Sequence, residues 1–173
     1  MTVQIFVDES KRNGFVMAAA GVSADSVAKY RKQLRRCLKP GVRRFHCTSA
    51  TDSERRQVIA LISAWPATVD IFVSDSRSES VSRHACLSAV AVCACDQVAG
   101  RLVIEADHSH DRADRNTLTM AMRDQQHSVR WDLASPNSEE LLWVPDAVAW
   151  CWTHPSSKWR SLVDPLVRSV TQL

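Results

Sequence analysis

Residues 3–22, VQIFVDESKRNGFVMAAAGV, decide the fold. The run from Val3 to Val7 is almost wholly apolar and reads as a buried strand over about residues 3–9. The Asn13-Gly14 pair then signals a hairpin turn, so FVMAAAGV (15–22) is expected to return antiparallel beside the first strand. The first strand ends in two adjacent carboxylates, Asp8 and Glu9. Either the strand simply emerges into solvent there, or it is a rigid mount for a metal ligand. The rest of the chain has to decide.

Working outward, Ser23 is placed to cap a helix reaching about Leu38, with Val27, Tyr30, Leu34 and Leu38 as its apolar stripe. RRFHCT (43–48) reads as a short extended piece. Thr51 and Glu54 form a capping box for a helix that stops at Trp65-Pro66. ATVDIFV (67–73) is a strand of β-branched and aromatic residues, and an alanine-, serine- and cysteine-rich helix follows over about 79–98. Further strands are expected at RLVIEAD (101–107) and SVRWDL (128–133), with a helix at about 113–124 between them. A helix opens at Pro145, and SKWRSLVDPLVRSV (157–170) reads as helical on both sides of Pro165. A hairpin followed by alternating helices and strands predicts an α/β fold: a mixed sheet, antiparallel at the start and completed by parallel crossovers, flanked by helices.

The chain of 173 residues fits one domain, 1–173, with 45% hydrophobic and 24% charged residues as in ordinary globular proteins. No apolar run is long enough to span a bilayer, and the N-terminal residues lack the basic-then-apolar pattern of a secretory signal, which points to the cytoplasm and to no membrane partner. The six cysteines contain no C-x-x-C pair, so packing explains them better than zinc. Net charge is only +3, but Lys29 to Arg44 carries eight basic residues (Lys29, Arg31, Lys32, Arg35, Arg36, Lys39, Arg43 and Arg44) and no acidic one. Clustered charge of one sign suits a polyanion such as nucleic acid, whereas the bland alternative is a solvated helix face.

Carboxylates recur at two distant places. The strand period puts Val103, Glu105 and Asp107 on one face, with the two acids roughly 6–7 Å apart. Like charges that close repel unless a proton or cation lies between them. Asp146 follows Pro145 as the second residue of the expected helix, within the apolar stretch ELLWVPDAVAWCW (140–152). Helix capping explains an aspartate there, but not its apolar surroundings. Oxygen ligands from a few carboxylates suit Mg²⁺, and a metal pair can hold both oxygens exchanged in a phosphodiester displacement. Among the tryptophans, Trp143 and Trp150 stand seven apart and are expected in the core, with Trp152 or Trp159 the exposed member. AWCW (149–152) is also a candidate surface for a homodimer.

The order of these pieces resembles the DUF3800 proteins, a bacterial and phage family of uncharacterised function assigned a ribonuclease H-like fold. IFVDES, the hairpin into FVMAAAGV, RFHCTSATDSERR, RLVIEADHS and ELLWVPDAVAWCW carry the resemblance, from about residue 3 to about residue 160. It implies phosphodiester chemistry with two Mg²⁺ or Mn²⁺ ions. The ligand roles fall on Asp8, Glu105 and Asp146, with Glu9 and Asp107 as secondary candidates. His46 takes a position that orients water or contacts phosphate; a core histidine is the alternative. Two features depart from the pattern. The usual three-stranded meander is not obvious, RRFHCT being the candidate for its missing strand, and Pro145 stands where a helix former is usual. The reading is therefore a metal-dependent nuclease. A catalytically inactive nucleic-acid-binding module is the alternative, ahead of a PIN-type nuclease or a small-substrate phosphatase.

Overall fold

A computed structural model describes residues 2–173. Strands β1 (Val3–Ser10) and β2 (Phe15–Ser23) form the expected hairpin, paired from Val3 with Ser23 to Ser10 with Val16. Asn13 and Gly14 both take positive φ, 55° and 109°, as the turn requires. Helices α1 (Val27–Arg35) and α2 (Asp52–Ser63) intervene before β3 (Thr68–Ser74), which pairs antiparallel with β2. The meander is thus present, with two helices inserted into its second connection. RRFHCT is not its third strand. That segment is irregular, and β3 completes the meander instead.

The chain continues through α3 (Glu79–Asp96), β4 (Arg101–Glu105), α4 (Asp111–Met122) and β5 (Trp131–Ala134). It ends with α5 (Trp143–Thr153), α6 (Ser157–Val163) and β6 (Val167–Gln172). Strand β4 runs parallel to β1, β5 parallel to β4 and β6 parallel to β3, giving one six-stranded sheet in the order β5-β4-β1-β2-β3-β6. This is the predicted mixed α/β sheet, with an antiparallel β1-β2-β3 run and β4 and β5 added parallel beyond β1. No helix among the described residues is long and apolar enough to cross a membrane.

Side-chain alternation sorts the strands between two cores. Phe6, Ala18, Ile71 and Val103 face α1, α2, α5 and α6, while Ile5, Val7, Phe72 and Ile104 face α3 and α4. The capping box at Thr51 and Glu54 forms as read. Ser23 makes no cap bond, because a 3-10 turn (Ala24–Ser26) precedes α1. The segment after Pro165 is a strand, not a helix: a 3-10 turn at Asp164–Leu166 hands the chain to β6, whose backbone pairs with β3. Trp143 and Trp150 are core residues, and so is Trp159, which leaves Trp152 as the partly exposed one of these four, with Arg160 stacked 3.6 Å above its ring. Cys151 is also buried, so little of AWCW remains as a surface.

Candidate metal centre

Three elements deliver the carboxylates to one place. The parallel pairing of Val7 with Ile104 leaves Asp8 and Glu105 as the next residues on neighbouring strands, projecting from the same face. Helix α5 packs across β1 and β2 on that face and brings Asp146. Asp8, Glu105 and Asp146 line a single cavity of about 390 Å³, together with Glu9, His46 and Thr48. The strand opposite Asp8 contributes Ala18, whose small side chain leaves room beside the carboxylate.

Asp146 sits differently from its expected position. A 3-10 turn at Glu140–Leu142 feeds α5 from Trp143, so Pro145 is the third helical residue and Asp146 the fourth. The proline is still in the first turn, where its missing N–H costs nothing. The Asp146 carboxylate caps no helix. Its Oδ2 accepts a hydrogen bond of 2.8 Å from the backbone N–H of Cys47, 99 residues earlier. That bond holds the loop carrying His46 against the cavity. Arg55 reinforces the loop, donating to the carbonyls of Cys47 at 2.8 Å and Thr48 at 3.0 Å, with its guanidinium 4.3 Å from the Trp150 ring. His46 is exposed and lines the cavity wall, so it is not a core histidine.

None of Asp8, Glu105 and Asp146 has a cationic partner within ion-pair distance among the described residues. Burial and mutual repulsion therefore push their protonation upward. Asp8 is raised well above the usual carboxylate range by desolvation and then by Glu105, Asp146 and Glu9. Desolvation and Asp146 raise Glu105, while Arg44 and His46 oppose that rise. Desolvation lifts Asp146 to about 6 against the Cys47 N–H and Arg44. Hydrogen-bonded Asp146 so retains protons that it loses more readily in the unfolded chain. Its contribution to metal-free stability is full below its ordinary value of 3.8 and is lost as pH rises to about 6. In chelator, Asp146→Asn is expected to gain stability relative to wild type between pH 4 and pH 7, as read by urea denaturation. A difference that is flat across that range contradicts the assignment.

The secondary candidates part company. Alternation turns Glu9 to the other face, where its Oε1 lies 2.7 Å from Nη1 of buried Arg83 and 3.7 Å from Lys11. It still reaches the cavity edge. Asp107 does not line the cavity, because β4 ends at Glu105 and the chain turns. The Asp107 carboxylate accepts from the Ser109 hydroxyl at 2.6 Å and from its N–H at 2.9 Å, which hold it at about 2. Glu79, Asp107 and His110 can bring ligand atoms within 4.8 Å of one another, the one such trio among the described residues. The Lys11 ammonium already stands 2.6 Å from Glu79 and 3.9 Å from Asp107. The Asp8, Glu105 and Asp146 carboxylates are set wider than that.

The basic run divides as well. Arg31 is spent on Glu139 through its Nε at 2.9 Å, and Arg35 pairs with Glu140. Lys29, Arg31, Lys32, Arg35 and Arg36 all lie away from the cavity lining, and only the end of the run, Arg44, acts on its carboxylates. Arg43 is exposed beside it. The cations on the cavity wall itself are Lys11 and Arg12, from the hairpin turn. Sequence reasoning missed both, along with Thr48 and the Arg55 brace. The Asn13-Gly14 signal was the clue available for Lys11 and Arg12, because it places them in the turn just beyond the strand that carries Asp8 and Glu9.

No known family model matches the chain, and no curated protein matches it. Among solved structures, it is similar to a chain of the PCNA:RNase HII complex from Archaeoglobus fulgidus, with 9% identity and a TM-score of 0.48, over 86% of this chain and 69% of that one.

Proposed function

We propose that the chain is a divalent-metal-dependent phosphodiester hydrolase acting on nucleic acid, using Mg²⁺ or Mn²⁺. One observation carries this reading: three desolvated carboxylates share a cavity, and no side-chain cation pairs with any of them. Buried charge is retained in proteins when it is paired or coordinates a metal. An all-oxygen donor set of Asp8, Glu105 and Asp146, with Glu9 at the edge, fits a hard cation that keeps part of its water shell. Bound there, such an ion supplies Lewis acidity toward a phosphate oxygen and acidifies water. The chain's own groups do the rest. The Cys47 N–H fixes the Asp146 carboxylate, and Arg12 and Arg44 hold flanking phosphates. The imidazole of His46 lines the cavity, where desolvation and Arg44 disfavour its protonation against Glu105, and is available to accept a proton.

The test is cleavage of single-stranded, duplex and hybrid DNA and RNA in Mg²⁺, Mn²⁺ or chelator. Metal-dependent cutting of at least one substrate is expected. Binding without cutting in either metal overturns the enzymatic reading in favour of a binding module. Arg12→Ala and Arg44→Ala are each expected to reduce the salt slope of binding by about 1. Arg31→Met should leave that slope unchanged and lower stability instead, because it leaves the buried Glu139 with only the more distant Arg101 guanidinium, at 3.8 Å, as a cation. A slope change for Arg31→Met equal to that for Arg44→Ala returns the binding surface to α1.

A further inference from the structure

A second cavity of about 220 Å³ adjoins the acidic one, and His46 lines both. Its walls differ in kind. Cys37, Leu38, Val42, Phe45 and Ala50 supply apolar surface, the Lys39–Glu54 ion pair and Ser49 supply a polar part, and Arg44 is the lining cation that also acts on Glu105 and Asp146. The pocket is built from the 36–50 loop and the start of α2. The loop is pinned where the two cavities meet, by the Cys47 N–H to Asp146 and by Arg55 to the Cys47 and Thr48 carbonyls. Val42 remains 48% exposed although it is a large apolar side chain at the pocket mouth.

We infer that this pocket receives the nucleobase next to the phosphate held at the acidic cavity, so that the substrate is a strand with an unpaired, splayed base. This rests on the hydrolase reading above. A nucleobase presents two apolar faces, which suit the Val42 and Phe45 walls, and it is joined to an anion, which suits Arg44 between the cavities. A base inside a duplex is stacked on both faces and cannot enter a pocket of this size without being turned out. The preference is therefore for single-stranded or frayed substrate. Base contacts with such walls contribute on the order of tenfold in affinity for each base.

The test is fluorescence anisotropy in Ca²⁺ with two labelled probes, a trithymidylate and an abasic deoxyribose-phosphate oligomer with the same number of phosphates. Wild type is expected to bind the trithymidylate about tenfold more tightly than the abasic oligomer. Val42→Gln should reduce that preference to about threefold or less while leaving abasic affinity within about twofold, since it changes a half-exposed wall and no charge. Equal affinity of wild type for both probes overturns the base pocket and leaves the hydrolase reading standing. So does a Val42→Gln loss that is the same for both probes. Binding of neither probe by wild type removes the nucleic-acid reading, and this inference with it. The wild-type comparison needs no variant, so the stability of Val42→Gln does not enter it.

Discussion

Asp8→Asn is expected to lower metal-dependent cleavage by more than about 100-fold, because the loss of a direct ligand should exceed the 10–100-fold cost of losing a ligand's outer partner. The same substitution should not weaken the metal-free fold. Asp8 is a buried carboxylate facing Glu105 and Asp146, so a neutral amide of the same shape removes repulsion and no packing. Asn can also accept the 2.8 Å bond that the Glu9 N–H gives to Oδ1. In chelator the melting temperature of Asp8→Asn should therefore equal or exceed that of wild type. On adding Mn²⁺, wild type should gain stability and the variant should gain much less. A variant that keeps most of the wild-type rate, or that melts well below it in chelator, contradicts the ligand role.

The largest effect on stability is expected at Arg83. Arg83 is 1% exposed, and its guanidinium donates to both oxygens of Asp114, at 2.9 Å from Nε and 2.8 Å from Nη2, while Nη1 faces Glu9. Arg83→Met leaves Asp114, itself 2% exposed, without its cation on the α3–α4 side of the sheet. Removing one partner of a buried pair costs about 3–5 kcal/mol. It also removes the positive charge beside Glu9 at the cavity edge, leaving Lys11 at 3.7 Å as its cation, which should raise the protonation of Asp8 further. Urea denaturation at neutral pH measures the first effect, and a loss below about 1 kcal/mol contradicts it. Asp114→Asn, which keeps a weaker acceptor, is expected to lose less than Arg83→Met.

Local chemistry explains which parts were legible. The hairpin was readable because Asn13-Gly14 supplies positive φ without help from the rest of the fold, and the α2 start because Thr51 and Glu54 satisfy each other's neighbourhood. β6 was not readable: VRSVTQ spaces its apolar residues three apart, as a helix does, and becomes a strand through pairing with β3 nearly 100 residues away. Asp107 was assigned to the cavity by extending a strand two residues too far. Its side chain instead takes the Ser109 N–H and turns the chain. Arg31 and Arg35 looked free within the basic run because their partners, Glu139 and Glu140, lie more than 100 residues away in sequence.

Each carboxylate of the cavity could be picked out from its own surroundings: Asp8 and Glu105 at the ends of buried strands, Asp146 inside an apolar helix. Their meeting could not, since it depends on β4 choosing the edge of β1 and on α5 crossing the same face. Arg83 and Arg55 carried no local signal. Their roles exist only once α3 and α2 are packed.

The most direct measurement is anomalous diffraction at the manganese edge from crystals of the wild-type chain grown with Mn²⁺. Anomalous density is expected among Asp8, Glu105 and Asp146, and is expected to be lost in Asp8→Asn. Density instead between Glu79, Asp107 and His110, with the Asp8 cavity holding only water, would contradict it.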